Sequence, residues 1–195
     1  MSCGRGGGGE SFFFVFSLNL YAASLFFVSH PLLLLSLQHI THSAPTGLID
    51  VVLSYCHCCP TDHALDAAVP YFAGRGLGII SASPLSMGLL TPQGPPPWHP
   101  APPALRAAAA AAVAAVTAAG FDAPALALRD ALETPGVATH LIGLSTRAQV
   151  RVAVASALAA SAPPQAAEAA ALAEMRALLA PVLGTTWPSG RLENN

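Results

Sequence analysis

Three short stretches carry the residue types that could do chemistry. Cys56-His57-Cys58-Cys59, with His63 close behind, sets three thiols and two imidazoles within eight positions. Cys56 and Cys59 form a C-x-x-C, a spacing used in thiol–disulfide exchange and in zinc sites. A structural zinc needs a second ligand pair, yet the only other cysteine is Cys3. No metal site is therefore expected. Gly143-Leu144-Ser145-Thr146-Arg147-Ala148-Gln149 places a glycine and two hydroxyls ahead of a helical pattern. Such a helix start attracts anions through its unpaired N–H groups and dipole. The same letters spell a capping box, Thr146 as N-cap and Gln149 three residues on, and both roles can coexist. Ser83-Pro84-Leu85, followed by Met87-Gly88, ends an apolar run. A loop at a strand's carboxyl end offers N–H groups and a hydroxyl to phosphate oxygens; the plainer reading is a Ser-Pro turn with Leu85 packed inward.

Other aromatic and imidazole groups read as structural. Trp98-His99-Pro100 sits in a proline-rich loop, read as rigid surface with Trp98 packed down. Trp187-Pro188 reads as a cap on the fold and His140 as a packed strand residue. His30, His39 and His42 show no ligand spacing.

What the chain lacks is as informative. All eight basic residues are arginine, and none of the 195 residues is lysine. Schiff-base, phosphate-loop and other lysine chemistry is excluded for this chain alone. A net charge of −2 without a basic patch argues against nucleic acid. Alanine abounds after residue 100, which reads as a coding bias of little functional meaning.

These residues need elements to hold them. Ile49–Tyr55, Leu77–Ser83 and Val137–Leu144 read as short strands apolar on both faces, the mark of buried parallel strands. Between and after them lie helical patterns. The first starts at Thr61 or Asp62 and stops at Gly74 or Gly76, with Leu65 and Val69 on one face. The others cover about 102–119, 124–132, 146–160 and 163–179. Strands separated by helices imply parallel βαβ units. Three such strands do not close a domain, so the pattern predicts part of a larger α/β sheet or barrel.

Residues 1–45 differ in kind. MSCGRGGGGE precedes a stretch from Ser11 to Ile49 without Asp, Glu or Arg. Its apolar part, residues 11–40, is long enough to span a bilayer. The preferred reading is a stretch joined by a faulty gene model rather than an anchor or targeting peptide.

DVVLSYCH (50–57), GRGLGIISASPLSMGLLTPQGPPPWHPAPPAL (74–105), LIGLSTRAQV (141–150) and TWPSG (186–190) together resemble the aldo/keto reductase family. The resemblance spans about residues 46–190 and leaves 191–195 as a tail. It implies a (β/α)8 barrel of which this chain holds about the last three strands and their helices, behind an apolar leader. It implies NAD or NADP as cofactor and a small sugar as substrate, whose hydroxyl is oxidised to a lactone on the ascorbate route. It also implies a cytoplasmic setting, with membrane association through residues 11–40 not favoured. Ser83, Pro84, Leu85 and Met87 would border the pyrophosphate and nicotinamide; Gly143, Leu144, Ser145 and Gln149 would hold the adenosine phosphate end. The family's Asp, Tyr, Lys and His tetrad lies on earlier strands, so no catalytic residue is assigned here. Tyr21, Tyr55 and Tyr71 have no lysine to lower a phenol from about 10. Two departures stand out: Ala82 replaces a frequent nicotinamide-stacking aromatic, and Val152-Ala153 replaces an adenine-touching Glu-Asn. The chain alone is expected to be inactive; the alternative is a membrane-tethered, non-catalytic module built on the same barrel part.

Overall fold

The computed structural model describes residues 25–28 and 49–187. Four strands run in chain order across one parallel sheet: β1 (Leu25–Val28), β2 (Val51–Tyr55), β3 (Gly78–Ala82) and β4 (Thr139–Leu141). The register sets Phe27 beside Leu53, Leu53 beside Ile80, and Ala82 beside Leu141. Val52, Leu53, Ser54, Ile79 and Ser81 are buried, as both-face apolar strands require. Three strands match the expected runs with trimmed ends. The fourth, β1, comes from the apolar leader and pairs with β2 throughout. The rest of 11–40, and the tail 191–195, lie outside the described residues. Among the described residues no single helix is long and apolar enough to cross a membrane; one bent pair passes by length and composition only.

The described residues also form five α-helices: α1 (Ala64–Ala73), α2 (Pro103–Ala118), α3 (Ala123–Leu132), α4 (Arg147–Ala159) and α5 (Ala166–Leu179). The N-cap of α1 is His63, without a side-chain cap bond, rather than the expected Thr61 or Asp62; Asp62, one residue earlier, still accepts from Ala64 N at 2.7 Å through Oδ1. Asp122 caps α3 by accepting from Ala125 N at 2.8 Å.

Two apolar clusters result. One joins β2 and β3 to α1 through Val52, Ile79, Leu65, Ala68 and Phe72. The larger joins α2 to α5 and the start of α3. Along α2, Leu105, Ala109, Ala112, Val113 and Val116 form one buried stripe at helical spacing. Leu172, Met175 and Leu179 of α5 meet it. Ala109, Ala112, Ala123 and Ala127 are fully buried, so part of the alanine content is packing rather than coding bias: small side chains let these helices approach closely.

Adjacent charges on α3 tie the helices together. Arg129 reaches Glu133 at 2.9 Å and Glu168 at 3.7 Å, and donates to Ala159 O at 3.0 Å and to Ala162 O. The buried Asp130 carboxylate accepts from Arg176 Nε at 2.7 Å and lies 3.2 Å from His63 Nε2. Asp66 also faces His63, at 3.5 Å from Nδ1. The bond to Asp130 raises His63 above its ordinary 6.5; burial and the nearby Arg176 oppose, and the charges of Asp130 and Asp66 assist.

The sign follows from linkage. A folded value above the unfolded one gives stability that is complete below the unfolded pKa and fades as pH rises through the folded value. His63→Gln is therefore expected to lower the urea midpoint most at about pH 5.5 and least at about pH 8.5. An equal loss at both values would contradict the ion contact.

Candidate functional site

The carboxyl ends of the strands are built from unusual backbone. Cys56 and Ser83, the first residues past β2 and β3, have φ of 60° and 63°. They sit side by side because Tyr55 pairs with Ala82. Cys56 N–H donates to Ala82 O and Ser83 N–H to Leu141 O, both at 3.0 Å. Ser86 and Met87 follow with φ of 49° and 54°. Among the described residues these are the four non-glycine positions in the left-handed region, and all lie at this one face. A side chain there costs about 1–2 kcal/mol, so surrounding contacts must impose the conformation.

Those contacts are a buried polar knot. Thr61 Oγ1 and Ser86 Oγ lie 2.7 Å apart, and Ser86 Oγ donates to Cys59 Sγ at 3.3 Å. Cys59 Sγ donates to Cys56 O at 3.5 Å. One consistent proton order then has Thr61 donating to Ser86. His99 Nδ1 accepts from Ala101 N at 3.0 Å, which leaves its Nε2–H to donate to Ser86 O at 3.2 Å. Burial keeps His99 below its ordinary value, with Arg106 adding and the Ser86 bond opposing, so the neutral ring is the working form. Arg106 of α2 holds the His99 and Ala101 carbonyls. Gly184 N–H donates to Thr61 O at 3.0 Å, and the Trp187 ring meets His99 edge-on at 4.8 Å. The loops after β2 and β3, the proline-rich segment, α2 and the descending tail thus share one centre.

Trp98 does not pack down as expected: it is 55% exposed, while His99 is 3% exposed. The ring able to satisfy two buried backbone groups goes inward. Trp187 packs on the large core as expected; Pro188 lies outside the described residues. Burial lowers His140 in β4, consistent with a packed ring.

The thiol cluster is structural in form. Cys56, Cys58 and Cys59 are unbridged and buried. Burial raises all three thiols, Cys58 to about 11, which disfavours the thiolate that redox or metal chemistry needs. Cys58 donates to Thr134 Oγ1 at 3.2 Å. His57 Nδ1 lies 3.1 Å from Asp62 Oδ2, so one carboxylate orients the imidazole and starts α1. Among the described residues no group of three His, Cys, Asp or Glu side chains could hold a metal.

Of the eight expected cofactor residues, four lie in the β3 loop: Ser83, Leu85 and Met87 half-buried, Pro84 buried. Leu85 packs against the large core. Gly143, Ser145 and Gln149 are exposed and Leu144 half-buried. The Ser83–Leu141 bond sets the start of the β3 loop beside the end of β4, two residues before Gly143. The capping box forms: Gln149 N–H donates to Thr146 Oγ1 at 3.2 Å, and Gln149 Oε1 accepts from Ser145 N at 2.8 Å and Thr146 N at 3.0 Å. Gln149 is thus engaged within its own helix start. A Cβ added at Gly143 would meet nothing within 4 Å. Burial raises the Tyr55 phenol, with Cys56 adding and a bond to Ser83 opposing, the reverse of what a proton donor needs.

From sequence Thr61 was read only as a helix start, and Ser86 was not singled out. They lie 25 residues apart, and only the adjacency of β2 and β3 joins their loops. The one hint was the proline density before His99, which fixes that loop's path.

No family model matches the chain. It is 42% identical over 156 residues to the L-galactose dehydrogenase of Arabidopsis thaliana, an alignment covering 80% of this chain and 48% of that protein. The chain thus spans about half the length of this curated relative. Two solved structures of an aldo-keto reductase from Bacillus halodurans share its fold. The holo form superposes with a TM-score of 0.52 at 18% identity, covering 78% of this chain and 49% of the other. The apo form gives 0.51 at 19%, covering 78% and 50%.

Ser86→Ala tests the knot. It removes one bond from each of Thr61 and Cys59, which keep each other at 3.3 Å, and is expected to cost about 1 kcal/mol in urea unfolding. A loss under about 0.5 kcal/mol would show that the knot does not hold the loops.

Proposed function

We propose that the chain is a member of the aldo/keto reductase family and carries the cofactor-facing part of an NAD(P)-dependent sugar dehydrogenase. The observation that carries this is the 42% identity over 156 residues to an L-galactose dehydrogenase. The proposed substrate is L-galactose or a closely related sugar, oxidised to its lactone. Residues 46–190 form the proposed dehydrogenase part, Leu25–Val28 extend its sheet as β1, and the proposed setting is the cytoplasm.

The residues at the strand ends fit such a cofactor. Open space surrounds Gly143, as a closely approaching phosphate requires. The left-handed turn at Ser83 sets its amide on Leu141 O at the exit of β4, while its half-buried hydroxyl bonds the Tyr55 phenol. Gln149 occupies the amides of Ser145 and Thr146, so those of Arg147 and Ala148 are the ones left for a phosphate at the start of α4. Leu85 and Met87 would give the nicotinamide side an apolar wall. NAD or NADP, when bound, accepts a hydride from the sugar carbon.

This chain's residues bind and orient; they do not move the proton. The phenol of Tyr55 is held protonated by burial, and no lysine is present to counter that. The chain alone is therefore a cofactor-binding unit without turnover.

Titration of the full chain with NAD and NADP, followed by tryptophan fluorescence, tests this. Binding of at least one is expected, weakened about tenfold or more by Ser83→Asp, whose carboxylate opposes a phosphate. With L-galactose added, no reduced cofactor is expected at 340 nm. Absence of binding to both, or binding indifferent to Ser83→Asp, would overturn the cofactor assignment; steady turnover would overturn the division of labour.

A further inference from the structure

A parallel sheet needs cover on both faces and partners on both edges, since its strands are apolar all round. The β4 end of this sheet has neither. Among the described residues β4 pairs only with β3, and Thr139 and Leu141 are exposed. Seven large apolar side chains are exposed among the described residues, and four of them lie on β4 and α4. They are Leu141, Val150, Val154 and Leu158, at 45%, 46%, 53% and 71%. The last three recur every fourth residue, so they form a single stripe along one side of α4. The capping box fixes the start of that helix, and Arg129 holds its last turn through the Ala159 carbonyl. The stripe is therefore presented by a fixed helix rather than by a loose end.

Among the described residues the opposite edge of the sheet is β1, whose sequence Leu25-Phe26-Phe27-Val28 is wholly apolar. One copy thus offers two parallel edges, one at each end of a four-stranded sheet. It also covers 49% of a solved reductase whose fold it shares. We propose that the occupant of the β4–α4 face is a second copy of this chain, and that two copies close one eight-stranded parallel barrel. A two-fold axis along the barrel keeps every strand parallel. It sets β4 of one copy against β1 of the other, twice, so that no edge remains. The α4 stripe then covers the outer face of the partner's β1. This goes beyond the cofactor reading and does not depend on it.

Sedimentation equilibrium of the full chain, without cofactor, tests the proposal. The wild type is expected at twice the chain mass at micromolar concentration. Leu158→Asp, at a site too exposed to unfold one copy, is expected to weaken the dimer at least tenfold and leave helical circular dichroism unchanged. Leu183→Asp, equally apolar and exposed but outside this face, is expected to leave the dimer intact. A monomeric wild type, an open series of larger species, or a dimer indifferent to Leu158→Asp would each overturn it. Cofactor titration reads a different face, so failure here leaves the proposed function standing.

Discussion

Ser86 is the residue on which the carboxyl-end face depends. Its hydroxyl bonds Thr61 and Cys59, its carbonyl takes the His99 proton, and its own backbone is left-handed. Thr61 and Cys59 come from the loop after β2 and His99 from the proline-rich segment. A buried hydroxyl without partners would cost about 1–3 kcal/mol, comparable to one strained backbone position. The knot therefore offsets strain that isolated loops would relax. Once it forms, the turns at Cys56 and Ser83 have few other paths to follow. The loop path brings Ser83 to the exit of β4, where Gly143 stands open.

The electrostatics support the same division between scaffold and site. Arg129 and Asp130 are buried neighbours that satisfy different partners on the surrounding elements. They anchor α3 against α4, α5 and the start of α1 at the outer layer. The strand ends, by contrast, hold neutral groups: protonated thiols, a neutral His99 and hydroxyls. The carboxylate in these loops, Asp62, is buried against His57 and the Ala64 amide, so an anion brought to this face meets mainly dipoles and N–H groups. That suits the binding and orientation proposed for this face.

Much of this was legible in the sequence because it is local. The both-face apolar runs at 49–55 and 77–83 became β2 and β3, and Thr146 with Gln149 formed the capping box in place. The strand at 137–144 shrank to Thr139–Leu141, since an uncovered edge cannot support a longer pairing. β1 was hidden because a continuous apolar stretch carries no period that separates strand from helix. Thr61, Ser86 and His99 were hidden for another reason: their bonds join residues brought together only by tertiary structure. Trp98 was misjudged on size alone; His99 went inward because buried carbonyls and amides need a polar partner more than the core needs another ring.

Native-state hydrogen exchange measures the central claim directly, since it reads each loop amide against the global stability. The amides of Ser86, His99 and Gly184, all in loops, should be protected nearly as well as those of α2. The amides of Ser161 and Ala162, in the exposed turn after α4, should exchange orders of magnitude faster. Uniformly fast exchange across Ser86, His99 and Gly184 would mean that the knot does not shape the strand-end face.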